Sequence, residues 1–124
     1  MQGFTLGATY TRDEIYAALG GSKRSAIPTV DGVVVAVCIR TDLNANAPAE
    51  FLCGAGPTMV KTGNLLASTA GKLPVFTKQR VNHWQYRGLY GVAASHRVGP
   101  MFDAMVARSG RSPSSVSVAI ELAQ

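Results

Sequence analysis

The stretch from Pro74 to Val92 holds many of the side chains with which this chain could recognise another molecule. It contains the only tryptophan, two of the four tyrosines and three of the twelve basic residues. Aromatic rings beside ammonium and guanidinium groups can stack on nucleic-acid bases while the cations contact phosphates. The same composition also makes an ordinary half-buried hairpin, so both readings stay open at this point. The candidate residues here are Lys78, Gln79, Arg80, Trp84, Tyr86, Arg87 and Tyr90.

The Gly21–Ser25 loop is a second candidate contact region, because it combines small residues with Lys23 and Arg24. Backbone amides in such a loop can cradle a phosphate. The loop lacks the spacing of a P-loop, and no helix is predicted directly after it. A solvated connection between a helix and a strand is the alternative.

The polar loop that begins at Arg40 places Asp42, Asn44 and Asn46 at alternate positions. This spacing invites a calcium interpretation. An EF-hand loop would need glycine and glutamate where Ala47 and Cys53 stand, so the pattern does not fit. We expect a structural loop, with hydrogen bonds from Asp42 and Asn44 to a base edge as the second possibility.

No catalytic residue, metal site or cofactor is predicted. His83 and His96 stand apart, without the histidine cluster of an HNH nuclease. The acids are not clustered with a lysine, and the zinc deaminase motif is missing. Cys38 and Cys53 match no metal or redox spacing, and Cys38 is expected to be a small core residue. A binding module is therefore favoured over an enzyme.

Length and composition predict one domain over residues 1–124 and an anionic partner. The 124 residues are 47% hydrophobic and carry a net charge of +5, which favours nucleic acid first and an anionic membrane surface second. We expect no membrane-spanning stretch and no secretory signal. Two unpatterned cysteines favour the reducing cytoplasm.

Three helices are predicted from their boundaries and periodicity. Thr11 and Glu14 form a capping box that starts the first helix, and Gly20-Gly21 ends it. The second helix covers 58–70, where Gly63 weakens the prediction by about 1 kcal/mol relative to alanine. The third covers 101–108.

The predicted strands outnumber the helices. Residues 1–10 form a first extended arm, and 29–39 form a hairpin around Asp31-Gly32 whose second strand, 33–39, is a buried central strand or a barrel stave. Residues 74–92 form two or three short antiparallel strands closed by Gly88, with Trp84 and Tyr86 on one face. A loop through His96 follows, and 116–122 is the last strand. The order is roughly βαβββαβββαβ. This is an α+β fold with a small, mixed, strongly twisted or barrel-like sheet and two or three helices.

The run Tyr86-Arg87-Gly88-Leu89-Tyr90-Gly91-Val92 resembles the Tyr-Asp-Gly-Leu-Tyr-x-Val signature of SRA (YDG) domains, with Arg87 where those domains have aspartate. Other pieces resemble the PUA-like domain at the front of some bacterial HNH endonucleases and a related fungal domain. These pieces lie at 10–15, 19–22, 40–44, 47–48, 74–76 and 81–86. The likeness covers nearly the whole chain.

The resemblance implies a PUA-like β-barrel that reads modified DNA bases, sometimes by flipping a base into an aromatic-lined pocket. It makes Trp84, Tyr86 and Tyr90 candidates for the pocket wall or its support. Polar contacts to a base would come from Asp42, Asn44 and Gln79, and the DNA backbone would be held by Lys23, Arg24, Lys78, Arg80 and Arg87. No nuclease domain follows, so we expect that cleavage comes from a partner or has been lost.

Three functions are compatible with these residues. The first is a module that binds double-stranded DNA with a modified base in a restriction or phage-defence setting. The second is a protein-interaction or regulatory domain in which the aromatic residues are core and the charge serves solubility. The third is a small ASCH-like amidohydrolase in which Lys78 and Tyr86 act on a modified nucleobase.

Overall fold

The computed structural model describes residues 3–124, which form eight strands, three α-helices and one short 3-10 helix at Pro113–Ser115. The α+β class predicted from the sequence is confirmed. In chain order the elements are β1 (Thr9–Tyr10), α1 (Arg12–Leu19), β2 (Thr29–Val30), β3 (Val33–Val34), β4 (Val37–Ile39), β5 (Glu50–Gly54), α2 (Pro57–Ala67), β6 (Lys72–Arg80), β7 (His83–His96), α3 (Pro100–Ser109) and β8 (Val116–Ala123).

Helix α1 has the boundaries that the sequence predicts. The Thr11 hydroxyl accepts a hydrogen bond from the amide of Glu14 at 3.1 Å, and the Glu14 carboxylate accepts one from the amide of Thr11 at 2.9 Å. Two amides that the first turn leaves without helical partners are thereby satisfied. The helix ends at Gly20, whose φ of 80° is a conformation that glycine adopts without strain.

The main sheet is mixed and has two ends. Its strand order is β4-β6-β7-β8-β5, and β1 pairs separately with β7. The β4–β6 pair is parallel, whereas the other pairs in this sheet are antiparallel. No pairing joins β4 to β5 within residues 3–124, so the sheet is open and the predicted barrel-like form is not closed. Strands β1 and β8 pair with the same edge of β7 at different positions along it.

The strand predicted over residues 33–39 is broken, and its position was wrong. Strand β3 pairs with β2 across the predicted Asp31-Gly32 turn, with φ values of 50° and 77°. Strand β4 lies at one end of the sheet and not at its centre. Its three residues are fully buried nevertheless, and Cys38 donates its amide to the Ala26 carbonyl at 2.7 Å. An apolar run reports burial on both faces and does not report the number of neighbouring strands.

The β6–β7 hairpin is antiparallel as predicted, but its strands are long. They contain 9 and 14 residues. Gly88 does not end β7: Val75 faces Gly88 and Phe76 faces Tyr86, so Arg87 is the extra residue of a β-bulge. The loop predicted after Val92 was also wrong, because β7 continues to His96 by pairing with β8.

Helix α2 ends three residues before the predicted boundary and packs closely on the sheet. A Cβ atom at Gly63 would lie 3.2 Å from the Cβ and Sγ atoms of Cys53 and from Cγ1 of Val118. The glycine that weakens the helix therefore allows its contact with β5 and β8. Helix α3 agrees with the prediction to within one residue at each end, and Gly110 closes it with a φ of 75°.

The helices cover both faces of the sheet. Leu66 of α2 packs with residues of β4, β5 and β8 in one core cluster. On the opposite face, Ile15 of α1 packs with Phe76 and Trp84, while Phe102 and other residues of α3 form a third cluster with β5 and β8. None of the helices in residues 3–124 is long and apolar enough to cross a bilayer.

Candidate nucleic-acid interface

The β6–β7 hairpin carries three of the residues predicted to contact the DNA backbone, Lys78, Arg80 and Arg87. None of these cations forms a salt bridge within the described part of the chain, whereas Lys23 and Arg40 do. A cleft of about 270 Å³ is lined at this end by Thr41, Asp42, Lys78, Gln79, Arg80 and Val81. Cations that form no salt bridge within the protein are free to attract polyanions.

Asp42 is already engaged at the edge of this cleft. Arg40 donates from Nε and Nη2 to the two carboxylate oxygens of Asp42, at 3.1 and 2.6 Å. The hydrogen bond from Arg40 holds the pKa of Asp42 below its usual value, and the same bond raises the pKa of Arg40. Both side chains are exposed, so the pair orients the loop more than it stabilises the fold.

Trp84 is a core residue, with 7% of its surface exposed. It packs with Ile15 and Phe76 beneath the surface. Two cations lie over its ring: the Arg12 Cζ atom is 5.3 Å and the Lys78 Nζ atom 5.9 Å from the centroid. Such cation–π contacts restrain the side chains above the ring. Trp84 therefore supports the cationic surface from below.

Tyr86 lies on the same face as Trp84 and is partly buried. Its ring centroid is 5.3 Å from that of Phe76 and 5.6 Å from that of Phe4. Most of both side chains is thus buried, as in the alternative in which Trp84 and Tyr86 are buried together. Tyr86 also lines a cavity on the edge of the sheet.

This cavity lies where β7 has no neighbour on one side among the described residues. The ladder with the N-terminal segment ends where Gly7 donates its amide to the Tyr86 carbonyl at 2.9 Å. The ladder with β8 begins only at Gly91. The space between is about 370 Å³ and is lined by Leu6, Gly7, Gln85, Tyr86, Arg87, Tyr90 and Gln124. The structure therefore brings Tyr86, Arg87 and Tyr90 together at one opening.

Gln79 belongs to a polar row on the other face of the hairpin. Its Nε2 atom donates to Thr77 Oγ1 and to Gln85 Oε1, both at 3.2 Å. Arg87 Nη1 also donates to Thr77 Oγ1, at 3.4 Å. These bonds hold the side chains of Gln79 and Arg87 in one network above Thr77.

The loop with Lys23 and Arg24 is tied down by Arg12. The Arg12 Nη2 atom donates to the carbonyls of Ser22 and Ser25 at 2.6 and 2.9 Å. The Ser22 hydroxyl accepts the amides of Arg24 and Ser25 at 3.0 and 2.9 Å. Two amides that could cradle a phosphate are thus used inside the loop, which favours the structural alternative for the backbone.

The side chains of the two predicted cations in this loop differ. Lys23 contacts Asp13 at 3.2 Å and lies 4.9 Å from the ring centroid of Tyr16. Arg24 is exposed and forms no side-chain hydrogen bond or salt bridge within residues 3–124. Arg12 also donates its backbone amide to Asn82 Oδ1 at 3.0 Å. The loop is therefore linked to the tip of the β6–β7 hairpin.

A second, more enclosed cavity lies between the two end strands of the sheet, β4 and β5. It measures about 250 Å³, and its walls are mainly apolar. Arg40 follows β4, and Phe51, Leu52 and Gly54 belong to β5, so both ends of the open sheet contribute. The lining residues are Ala26, Arg40, Leu43, Asn44, Phe51, Leu52, Gly54, Met59 and Arg111.

Asn44 builds one wall of this cavity. It is almost completely buried, its Nδ2 donates to the Arg40 carbonyl at 2.9 Å, and its Oδ1 accepts the Leu52 amide at 2.8 Å. On the same residue of β5, Arg111 Nη1 donates to the Leu52 carbonyl at 2.9 Å. The free edge of β5 is thus covered at Leu52 by two side chains.

The sequence alone did not identify Leu43, Phe51, Met59 and Arg111 as site residues. Apolar residues that line a cavity have the same types and spacing as apolar residues that fill a core. Arg111 lies in a short loop three residues after Arg108, with no aromatic residue beside it. The signal that could have identified Arg111 is an arginine in the short connection between a helix and the strand that pairs with an edge strand.

The cysteines and histidines are separated. Cys38 and Cys53 are buried free thiols, and burial raises the pKa of Cys38 to about 11 and that of Cys53 to about 12. His83 Nδ1 lies 2.9 Å from the Val81 carbonyl oxygen, whereas His96 Nε2 contacts Glu121 at 2.6 Å. Within residues 3–124, no three such side chains are grouped to hold a metal ion.

Comparison with known proteins identifies the fold. No protein-family model and no curated protein matches the chain. Among solved structures, the SRA domain of SUVH5 in complex with hemi-methylated CG DNA matches with a TM-score of 0.68 and 15% identity, over 98% of this chain and 89% of that one. The complex of the same domain with methylated CHH DNA matches with a TM-score of 0.58 and 13% identity, over 98% and 94%.

A third structure is ScoMcrA, described as a Type IV phosphorothioation-dependent restriction endonuclease. It matches with a TM-score of 0.54 and 17% identity, over 96% of this chain but only 27% of that one. The chain therefore has the fold of SRA domains, and the resemblance stated from the Tyr86–Val92 signature is confirmed at the level of the fold.

Proposed function

We propose that this chain is a single domain that binds double-stranded DNA and recognises a modified nucleotide. Two of the solved structures with this fold are complexes with methylated DNA, and the third is a restriction endonuclease that depends on phosphorothioation. A restriction or phage-defence setting follows for this chain by analogy. A separate nuclease would supply cleavage. The domain acts in the cytoplasm, where reducing conditions keep its two thiols free.

The observation that carries this proposal is that the cationic cleft and the apolar cavity lie on either side of one loop. Residues 40–44 form the boundary: Thr41 and Asp42 line the cationic cleft, and Arg40, Leu43 and Asn44 line the enclosed apolar cavity. The Thr41 hydroxyl fastens this loop to the hairpin by donating to the Lys78 carbonyl at 3.0 Å. A duplex backbone held by the cleft would thus have a cavity for one base next to it.

The division of roles follows from the chemistry. Lys78, Arg80, Arg87 and Arg24 neutralise phosphates, which positions the duplex without reading its sequence. A base that leaves the stack loses a few kcal/mol of stacking and pairing, and contacts in a snug pocket offset this loss. In this domain the enclosed cavity provides that pocket, and Trp84 holds Lys78 in place from below.

The test is a binding titration with duplexes of one sequence, either plain, 5-methylated at one cytosine, or phosphorothioated at one linkage. We expect detectable binding to plain duplex at low salt, with affinity falling steeply as salt rises because counterions are released. At least one modified duplex should bind more tightly than the plain one at the higher salt. If no duplex binds at low salt, the protein-interaction reading replaces this proposal.

The contribution of the hairpin is measured with single charge removals. Lys78→Ala and Arg80→Ala should each lower the slope of log affinity against log salt by about 0.9 if each side chain contacts one phosphate. The effect should be the same for plain and modified duplexes. Lys61→Ala, which removes an exposed lysine from α2, is the matched control and should leave the slope unchanged.

A further inference from the structure

Arg111 is a cation in the wall of an otherwise mainly apolar cavity, and it has no acidic partner within residues 3–124. Its Nη1 donates to the Leu52 carbonyl at 2.9 Å and its Nη2 to the Ser115 carbonyl at 3.3 Å. Partial burial lowers the pKa of Arg111 from its usual value, but arginine stays charged in proteins. A guanidinium has five N–H donors, so these two bonds leave donors unused.

The cavity offers such donors but hardly any acceptor. Among its nine lining residues, Asn44 is the one with a side-chain oxygen, and that oxygen already accepts the Leu52 amide. The carbonyls of Arg40 and Gly54 accept hydrogen bonds from Asn44 Nδ2 and Ser117 Oγ. The side-chain groups that remain for a ligand are the guanidinium donors of Arg40 and Arg111.

The space beside Arg111 is open because residue 54 is a glycine. A Cβ atom at this position would lie 4.0 Å from Arg111 Nη2 and 3.9 Å from the Cβ and Cγ atoms of Met59. A small group on a bound base can therefore come close to the guanidinium. It would be flanked there by the Cβ and Cγ atoms of Met59, and such apolar surroundings strengthen a charge-assisted hydrogen bond.

From this distribution of donors we infer that the cavity selects a base whose modification carries a negatively charged oxygen acceptor, of which a 5-carboxyl group on cytosine is the simplest example. This inference rests on the proposed function. A carboxylate matches the planar fork of a guanidinium with two parallel hydrogen bonds. A methyl group in the same place would leave the Arg111 donors without a partner. The expected ligand is therefore an anionic group with hydrogen-bond acceptors, attached to a base that packs against the apolar walls of the cavity.

The test is a competition experiment with five duplexes of one sequence. They carry at one position plain cytosine, 5-methylcytosine, 5-formylcytosine or 5-carboxylcytosine, or a plain cytosine with a phosphorothioate linkage. We expect the 5-carboxyl duplex to bind at least about tenfold more tightly than the 5-methyl duplex, with the neutral 5-formyl duplex between them.

Variants at the cavity connect this preference to Arg111. Arg111→Lys keeps the charge but removes the planar fork, so the ratio of the affinity for the 5-carboxyl duplex to that for the 5-methyl duplex should fall severalfold. Gly54→Ala places a methyl group beside the guanidinium without a clash and should weaken the same preference. Gly56→Ala is the matched control, because a Cβ atom there meets nothing within 4 Å. The glycine pair keeps the test decisive even if Arg111→Lys unfolds the edge of β5.

The results separate this inference from the proposed function. Equal affinities for the 5-methyl and 5-carboxyl duplexes, or a preference for the methyl or phosphorothioate duplex, would overturn the inference and leave modified-DNA binding intact. A carboxyl preference that survives unchanged in both Arg111→Lys and Gly54→Ala would also overturn it. Absence of binding to every duplex at low salt would refute both.

Discussion

Replacing Trp84 by alanine should destabilise the fold and not simply remove a DNA contact. The ring is 7% exposed and packs with Ile15 and Phe76. Truncation of a buried tryptophan to alanine costs about 3–5 kcal/mol of unfolding free energy. The contact with the guanidinium of Arg12, a residue that is 8% exposed, adds to this loss because cation–π contacts are strongest when desolvated. We therefore expect a loss in the upper part of that range.

The assay is urea unfolding followed by far-UV circular dichroism, because the variant lacks the only tryptophan of the chain. A loss of this size is a large fraction of the 5–15 kcal/mol that stabilises a typical domain. Binding is therefore measured on Trp84→Phe, which keeps an aromatic ring in the core. Its affinity for plain DNA should stay within about threefold of that of the wild type, since Trp84 acts beneath the surface.

One result would refute the reasoning. If Trp84→Ala unfolds within about 1 kcal/mol of the wild type but binds DNA far more weakly, the ring contacts the ligand directly, as stacking on a base predicts. Trp84 would then have to move out of the core on binding. A large loss of stability together with near-normal binding by Trp84→Phe supports the position that the structure gives.

Three further predictions concern the framework of the site. Gly63→Ala gains about 1 kcal/mol of helix propensity but forces a contact with Cys53 that costs about 1–3 kcal/mol, so we expect net destabilisation in urea unfolding; a gain in stability would show that the neighbours give way. Asn44→Ala leaves the buried Leu52 amide without its side-chain acceptor and should lower the unfolding free energy by about 1–3 kcal/mol; an unchanged urea midpoint would contradict this. Burial raises the thiol pKa values of Cys38 to about 11 and of Cys53 to about 12, from 9.0 in the unfolded chain. The unfolded state therefore loses these protons first, and the free energy of unfolding should be insensitive to them below about pH 9 and fall above it; equal urea midpoints at about pH 8 and about pH 10 would contradict this.

Local features were predictable from the sequence because their causes are local. The capping box of Thr11 and Glu14 and the Asp31-Gly32 turn depend on residues within one turn of chain, and both occur where predicted. The Tyr86–Val92 signature indicated the SRA fold even with Arg87 in place of aspartate. The predicted cations Lys78 and Arg80 also line one cleft, because they lie two residues apart on a single strand.

Features that depend on distant residues needed the tertiary structure. The apolar run before Arg40 indicated burial, but only the pairing of β4 with β6 places it at the end of the sheet. Gly88 was predicted to end a strand, and the register shows that it continues the strand through a bulge. In each case the missing information was the identity of a long-range partner.

The site shows the same division. By itself, the sequence determined the chemistry available: three basic residues and four aromatic rings between Pro74 and Val92, a net positive charge, and a polar loop that begins at Arg40. Only the tertiary structure decided that Trp84 lies in the core beneath those cations. It also decided that Arg111 and Asn44 both bind the backbone of Leu52 at the open edge of β5. The physical reason is that residue type specifies which interactions a side chain can form, whereas chain packing decides which of them remain unused and face a ligand.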